Sequence, residues 1–318
     1  MKPNNPFATS GYRGPECFCD RIKETGKAVS ALANEIRLFA TKKIAIGAFM
    51  LAAGLMAASA AEASSQPRTV EIAGPAGRAV LDLKGGRILS WKDAAGRELL
   101  FMPRQGESPD GDWSHGGISL CWPWFGKKGD KASSIHGFAR NRMLTLRRRD
   151  ASSVSLGLSL AAGEVPDFPY AVDLDLAVRI TDRLEMAVRT TNTGETPFTF
   201  SEGIQPYFAV SKYGAVALRG VKKDDFAAVA GMDAAFPRIG DEFALLDAGA
   251  GHGLYAFASG NTGVVVWSPG NVEPPNRNLE PGDPERFIGL GPSSRVKEGA
   301  IVLLPGKSHT LVFRVKDK

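Results

Sequence analysis

The segment VDLDLAVRITDRLEMAV, residues 172–188, decides the fold class. Apolar residues occupy every second position from Val172 to Ile180, and the alternation resumes from Leu184 to Val188. Because successive side chains of a strand point to opposite faces, this pattern predicts two half-buried strands. The polar triplet Thr181-Asp182-Arg183 between them is typical of a turn. The segment is therefore predicted to form an antiparallel β-hairpin.

Further strand-like runs lie on both sides of this hairpin, separated by Gly, Pro, Asn or Asp. They cover residues 81–83, 88–91, 154–160, 264–267 and 311–315. No window after residue 63 combines a helical apolar stripe with caps, and Ala227 to Ala235 is predicted to form one or two helical turns at most. Many short strands without helices indicate a sandwich or a barrel. With no repeat and no composition change after Ala63, residues 64–318 are predicted to be one all-β domain.

Residues 1–63 are predicted to be a presequence. Lys42-Lys43, the apolar run from Ile44 to Ala60 and the small-residue segment Ala61-Glu62-Ala63 follow the order of a secretory signal peptide. The run is shorter than the roughly 20 apolar residues that a membrane span needs, so cleavage after Ala63 is favoured over an anchor. Since a signal peptide usually begins its chain, we expect translation to start after Met1. The expected location is outside the cytoplasm, in the periplasm, with membrane contact only during export.

Charge and cysteine content limit which partners and which disulfides are expected for residues 64–318. The chain has 39 Lys and Arg and 34 Asp and Glu, of which 8 and 5 lie in residues 1–63, so the remainder carries a net charge of +2. Its longest basic run, Arg147-Arg148-Arg149, is interpreted as a solvated strand edge, and no nucleic-acid partner is expected. Cys121 alone follows residue 63, which excludes an internal disulfide there, and it is predicted to pack as a small apolar side chain.

Two short segments concentrate the residues that could form a ligand site. They read HGGISLCWPWFG, residues 115–126, and HGFARN, residues 136–141. Four aromatic rings, a Gly-Gly pair and three cationic or titratable side chains lie within some twenty-five residues, a composition suited to a sugar-sized cleft. Taken alone, the same rings are equally compatible with a hydrophobic core.

These two segments resemble the signature of the hexose-6-phosphate 1-epimerases, mutarotases of the aldose 1-epimerase superfamily. Three later segments extend the resemblance: SEGIQPYF (201–208) to a His-x-Tyr-Phe segment, VVVWSP (264–269) to a VVWNP strand and FIGLGP (287–292) to Cys-x-Glu-Pro. The resemblance begins near Thr69. It implies a large antiparallel β-sandwich of the galactose mutarotase type that interconverts the α and β anomers of a hexose. The expected partner is a hexose or a saccharide containing one.

Three positions depart from the pattern of that family. The His and Glu that transfer protons there are Gln205 and Gly291 here, and an Arg associated with the substrate phosphate is His115. Mutarotation requires a base for the anomeric hydroxyl and an acid for the ring oxygen, and an amide side chain cannot exchange a proton. Two hypotheses stay open: an epimerase with a rearranged acid and base, and an exported non-catalytic carbohydrate-binding module. A scaffold that binds no sugar is a third.

His136 is the candidate proton carrier, because a His beside Gly137 in a loop can contact sugar hydroxyls and titrate near neutral pH. Glu202 is the second candidate, although its odd offset from Gln205 places it on the other face of a strand unless Gly203 introduces a bulge. Arg140 offers a planar fork for a phosphate, a carboxylate or paired hydroxyls. His115 would bind phosphate more weakly than the family's Arg.

The remaining binding candidates are polar or aromatic. For the aromatic residues two interpretations stay open, stacking on a sugar ring and ordinary burial in the core. Together with His115, Arg140 and Gln205, the expected substrate-binding set contains Asp225, Trp122, Trp124, Tyr207 and Trp267, while Phe125 is considered beside the two tryptophans. Asp225 enters only through a loose likeness to a family segment in which an Asp meets substrate hydroxyls. No residue spacing matches a zinc, calcium or phosphate-loop site, so neither metal nor cofactor is expected. The oligomeric state is not predicted.

Overall fold

The computed structural model describes residues 68–104, 115–128, 135–269, 279–294 and 300–318. Strands account for most of the regular structure in these ranges. They are β1 (Thr69–Gly74), β2 (Gly77–Asp82), β3 (Arg87–Lys92), β4 (Ile118–Cys121), β5 (Thr145–Arg149), β6 (Ser153–Leu160), β7 (Val172–Ile180), β8 (Leu184–Asn192), β9 (Phe198–Phe200), β10 (Gly203–Ala209), β11 (Val216–Arg219), β12 (Phe226–Ala227), β13 (Asp233–Pro237), β14 (Glu242–Asp247), β15 (His252–Ser259), β16 (Gly263–Trp267), β17 (Phe287–Ser293), β18 (Ile301–Leu303) and β19 (Ser308–Asp317).

The strands form two large antiparallel sheets and one small one. The first has eight strands in the order β1-β2-β3-β4-β10-β17-β16-β13, and the second has nine in the order β12-β11-β14-β15-β19-β8-β7-β6-β5. Strands β9 and β18 pair separately. The prediction of an all-β antiparallel sandwich is therefore confirmed.

The hairpin expected at residues 172–188 is present as β7 and β8. Ile180 pairs with Leu184, and the register continues outward to Val172 and Asn192. The even-numbered apolar side chains of β7 are buried and the alternate positions are partly exposed, as the sequence pattern requires. Strand β5, which contains the three consecutive arginines, forms an edge of the nine-stranded sheet and is largely exposed.

The expectation of helical turns at Ala227 to Ala235 is wrong. The segment contains the end of β12 and the beginning of β13, which pairs with β16. The segment is rich in small residues, and pairing with a neighbouring strand outweighs its weak helical preference. The helical structure in the described ranges consists of three 3₁₀ turns, at Ala139–Asn141, Tyr213–Ala215 and Asp283–Glu285.

The core lies between the two large sheets. Trp91, Trp122 and Phe208 from the side of the eight-stranded sheet and Phe313 from β19 are fully buried within one apolar cluster. Burying a side chain of this size stabilises the fold by roughly 1.5–3 kcal/mol relative to exposure, which makes this cluster the main source of stability. Trp122 also donates a hydrogen bond from Nε1 to Thr190 Oγ1 of β8, at 3.0 Å, and so links the two sheets.

The domain boundary predicted after Ala63 and the signal peptide lie outside the described residues and stay predictions. Throughout the described ranges, no helix has the length and apolar character needed to cross a bilayer.

Candidate functional site

The candidate site lies on the face of the eight-stranded sheet that points away from the core. Gly203 pairs with Ser293 and Tyr207 with Gly289, so the same register sets Gln205 opposite Gly291. Gly291 in turn pairs with Val265 of β16. Because paired residues point to the same face, Gln205 and Val265 face the same side across β17.

Gln205, Gly291 and Val265 form one row of residues across the sheet, and a second row lies beside it, two residues away on each of these strands. It consists of Tyr207, Gly289, Trp267 and Asp233, in the order β10, β17, β16 and β13. In both rows the residue of β17 is a glycine. The central strand thus contributes no side chain, and its neighbours stand on both sides of a depression.

Gly291 has no room for a side chain. An added Cβ would lie 2.1 Å from the carbonyl oxygen of Ile204 and 2.6 Å from Pro206 Cδ, far inside ordinary contact distances. Gly289 differs, because an added Cβ there would first meet Trp267 Cβ at 3.3 Å. At the position where the resemblance leads one to expect a catalytic Glu, the backbone packing itself excludes any residue with a Cβ.

The depression opens into a cavity of about 540 Å³. Four predicted site residues line it together: His136, Gln205, Tyr207 and Trp267. The other described lining residues are Phe125, Gly126, Lys127, Ile135, Asp233 and Val265. This volume lies within the range of small-molecule pockets, and the mixture of rings with a few hydrogen-bonding groups suits a sugar.

His136 is held rigidly at one side of the cavity. Its backbone N–H donates to the Gly126 carbonyl at 2.8 Å, and the Gly126 N–H donates to His136 Nδ1 at 3.1 Å. The residue has a φ of +65°, which a non-glycine residue adopts only when its surroundings enforce it. Since Nδ1 accepts a hydrogen bond, the ring proton resides on Nε2. In this tautomer His136 is a hydrogen-bond donor, and its ring edge packs on Phe125.

An aromatic cluster forms one end of the cavity. The Trp267 ring stacks on His115 at 4.7 Å between centroids and meets Tyr207 edge-on at 6.0 Å, with Phe287 and Phe101 behind them. Burial raises the pKa of the Tyr207 hydroxyl, which stays a neutral phenol. His115 is nearly buried and is not among the residues that line the cavity. It contacts the lining residues Trp267 and Tyr207 and does not face the described cavity itself, which differs from the direct substrate contact that the sequence predicts.

Gln205 lies on the cavity floor beside Cys121. The Cys121 thiol donates to Gln205 Oε1 at 3.7 Å and so orients the amide. Burial raises the pKa of this thiol to about 12, although Arg140 and Arg87 act in the opposite direction. The thiol is buried, as predicted, and its raised pKa favours the protonated form, which is a weaker nucleophile than the thiolate.

Arg140 lies outside the cavity, in a neighbouring narrow crevice that also contains Arg87 and Ser119. Ser119 pairs with Gln205, and β3 extends the same register to Arg87, so the crevice opens on the same face of the sheet as the cavity. Arg87 donates from Nε and Nη2 to the carbonyl of Gly116 and is itself buried. The expected contact of Arg140 with substrate is therefore not part of the described cavity.

Glu202 points to the interior of the sandwich. Its Oε1 lies 3.2 Å from His309 Nε2 of β19, and its side chain is 1% exposed. No bulge brings it to the face of Gln205, as the odd offset between them indicated. Burial raises the pKa of Glu202, while its pairing with His309 opposes the shift. Glu202 is therefore not placed to reach a sugar in the cavity.

Three other candidates also lie outside the cavity lining. Trp122 is fully buried in the core, and Trp124 packs edge-on against Phe138 beneath the ammonium group of Lys128. Asp225 is exposed and forms an ion pair with Arg219 at 3.0 Å. Of the three aromatic residues at positions 122, 124 and 125, only Phe125 lines the cavity.

Sequence reasoning missed Asp233 and Val265 as lining residues. Val265 precedes Trp267 by two positions in a predicted strand, so period-two alternation alone could have identified it. Asp233 could not be found this way, because its strand was not predicted and its place follows from pairing with Trp267. No three His, Cys, Asp or Glu side chains cluster as metal ligands within the described part of the chain.

Comparison with solved structures shows which known proteins share this fold. Among solved structures, the provisionally named mutarotase YeaD of Salmonella typhimurium superposes with a TM-score of 0.67 at 19% identity, covering 76% of this chain and 86% of that protein. A galactose mutarotase-like protein of Lactobacillus casei ATCC 334 superposes with a TM-score of 0.65 at 17% identity, covering 79% of this chain and 100% of that protein. These likenesses support the mutarotase-type sandwich.

Sequence comparison extends this result. A protein of Escherichia coli K12 that carries the provisional name glucose-6-phosphate 1-epimerase is 30% identical over 151 residues, 46% of this chain and 50% of that protein. A protein of the same name from Cenchrus ciliaris is 30% identical over 157 residues, which are 45% of this chain and 47% of that protein. The chain thus spans about half the length of the curated relatives it matches. The sequence model described as aldose 1-epimerase matches residues 68–227, just over half of the 318 residues. The chain belongs to the aldose 1-epimerase family.

Proposed function

We propose that this protein binds a hexose in the cavity between β10 and β13 and interconverts its α and β anomers. The observation that carries the proposal is the convergence of His136, Gln205, Tyr207 and Trp267 on one cavity of about 540 Å³. The Trp267 ring offers an apolar surface for the pyranose, and Gln205 and His136 offer hydrogen bonds to its hydroxyls. Anomer interconversion is the general activity of the family to which the chain belongs.

The ligand that we propose is an unphosphorylated hexose. His115, at the position of a phosphate-associated Arg in the resembling family, is occupied in stacking on Trp267. Arg140 lies in the separate crevice with Arg87. Lys127 is then the cationic side chain among the described lining residues, and its single ammonium group lacks the bidentate fork with which an Arg holds a phosphate. The relatives named glucose-6-phosphate 1-epimerase make glucose 6-phosphate the necessary comparison ligand.

A non-catalytic carbohydrate-binding module is the second candidate function. It is favoured by the lack of a proton-transferring side chain at Gln205 and Gly291, and by the backbone contacts that leave Gly291 no space for a Cβ. Such a module would keep the hexose cavity and lose turnover. Export to the periplasm, proposed from residues 42–63, is compatible with both functions. Fractionation and N-terminal sequencing of the processed chain test it.

Magnetisation-transfer NMR distinguishes these functions in one set of samples. The full chain is mixed with glucose, galactose or glucose 6-phosphate, and exchange between α and β anomers is compared with the buffer rate while substrate line-broadening is recorded. Exchange above buffer supports the epimerase, and broadening without exchange supports the binding module. Absence of both with all three sugars would refute hexose binding. A preference for glucose 6-phosphate would contradict the choice of an unphosphorylated ligand.

A further inference from the structure

We propose that Asp233 is the catalytic base of the cavity and removes the proton of the anomeric hydroxyl. The inference rests on the proposed function, since it requires a hexose in the cavity. Among the described lining residues the titratable side chains are Lys127, His136, Tyr207 and Asp233, and Asp233 is the carboxylate of this set. Ring opening of a hexose needs a group that accepts a proton from the hydroxyl on C1.

The other titratable lining groups are less suited to this task. Tyr207 remains a protonated phenol because burial raises its pKa. His136 holds its proton on Nε2, since the Gly126 N–H occupies Nδ1, and therefore presents a donor. Lys127 carries an ammonium group, which has no acceptor site. Asp233 offers acceptor oxygens at the exposed end of the cavity.

The strand register sets Asp233 at a useful distance from Gln205. Asp233 pairs with Trp267, so both side chains stand on the cavity face of neighbouring strands. Gln205 and Asp233 belong to β10 and β13, which are separated by β17 and β16. Three interstrand spacings amount to about 14 Å between the two backbones. The depression at Gly289 and Gly291 and the Trp267 ring both lie in this interval, in that order from β10. A pyranose that covers the depression and lies against Trp267 has the Gln205 amide on the β10 side and the Asp233 carboxylate beyond Trp267 on the β13 side.

The proposed step conserves atoms and charge. A carboxylate oxygen of Asp233 takes the proton of the C1 hydroxyl as the C1=O bond forms and the bond between C1 and the ring oxygen breaks. Water in the open cavity donates a proton to the ring oxygen, and the resulting hydroxide recovers one when the ring closes. The Nε2–H of His136 can stabilise negative charge that develops on oxygen, as a neutral imidazole does in other isomerases. Rotation about the C1–C2 bond and reversal of these steps give the other anomer.

The test measures anomer exchange and hexose affinity of the full chain with glucose and galactose. The variants are Asp233→Asn, which keeps size and hydrogen bonding, and Asp233→Ala, which leaves space for an added carboxylate. Asp241→Asn is the matched control, because Asp241 is an exposed Asp of the following loop that pairs with Arg238. Thermal unfolding of each variant verifies that the fold is retained.

We expect Asp233→Asn to lower the catalysed exchange rate at saturating sugar about 100-fold or more while affinity changes less than about threefold. Added formate should restore part of the exchange to Asp233→Ala and none to Asp233→Asn, a rescue that a merely structural role would not produce. Exchange that survives Asp233→Asn within threefold would overturn the inference, as would an unmodified chain that binds hexose without exchange. Absence of hexose binding by the unmodified chain would instead overturn the proposed function.

Discussion

Gly291 provides a sharp test of how the site is built, because the neighbouring strand β10 leaves a Cβ no space. In Gly291→Ala the new methyl would start 2.1 Å from the Ile204 carbonyl oxygen, so β10 and β17 must separate by about 1 Å to reach a 3 Å contact. Strand β17 is central in the sheet and pairs with β16 on its other side, so the shift cannot be absorbed at an edge.

The expected cost follows from this enforced separation. Overpacking a well-packed interior typically costs about 1–3 kcal/mol of stability. Because the new methyl meets a backbone oxygen at 2.1 Å, we expect a cost at the upper end of this range. Replacing Gly by Ala returns about 0.5–1 kcal/mol through the entropy of the unfolded chain. We expect Gly291→Ala to lower the free energy of unfolding by about 2 kcal/mol, which for a domain of this size lowers the Tm by roughly 4–8 °C.

Gly289→Ala is the matched control, because its added methyl would first meet Trp267 Cβ at 3.3 Å, a tight contact that a shift of a few tenths of an ångström relieves. We expect its unfolding free energy to stay within about 1 kcal/mol of the parent. The same methyl would stand between Tyr207 and Trp267, which both line the cavity, so hexose affinity should fall more in this variant. Urea and thermal unfolding of the full-length variants give the stabilities, and NMR titration gives the affinities. Equal stability of the two variants would refute the assignment of Gly291 as sterically closed.

Three further outcomes follow from the described contacts. Trp267→Ala should weaken hexose binding at least about tenfold, because Trp267 lines the cavity. Trp122→Phe should leave hexose affinity unchanged and cost about 1–2 kcal/mol of stability, because it loses a buried hydrogen bond. NMR titration measures the affinities and urea unfolding the stabilities, and the opposite pattern would restore Trp122 as a ligand contact. Peptide-mapped alkylation should modify Cys121 only after unfolding, because its thiol is buried with a raised pKa, and rapid native labelling would contradict this. Pairing with Glu202 outweighs burial and raises the pKa of His309 above 6.5, so the stability gained from this pair is complete below pH 6.5 and is lost as pH rises through the folded-state pKa. Urea midpoints from pH 6 to 9 should therefore fall less in His309→Gln than in the parent.

Local patterns were sufficient for the parts of the fold that local physics determines. The alternation in residues 172–188 predicted β7 and β8 because each strand is buried on one face and their turn is short. The same parity argument placed Glu202 on the face opposite to Gln205, where it meets His309. In both cases neighbouring residues of one strand carry the whole argument.

Parity gives no guidance where a strand ends. Strand β4 ends at Cys121, so the alternation that would have assigned Trp122, Trp124 and Phe125 to faces does not continue through the segment that follows. The structure sends Trp122 to the core and Phe125 to the cavity. The sequence could show that rings were concentrated here, but the path of the chain after β4 decides which of them faces a ligand.

The cavity depends on pairing between segments that are remote in sequence, and this is why its chemistry could not be worked out from motifs alone. Gln205, Gly291 and Val265 form one row because β10, β17 and β16 are neighbours, and Asp233 joins the next row because β13 completes this edge. A motif comparison shows that position 291 lacks a carboxylate but does not identify a carboxylate elsewhere that could replace it. The register shows instead that the same sheet face carries a carboxylate two strands away, on a strand that sequence patterns did not reveal. Loss of a group at one position of a sheet therefore does not establish loss of its function from the face as a whole, because any strand of that face can supply a replacement.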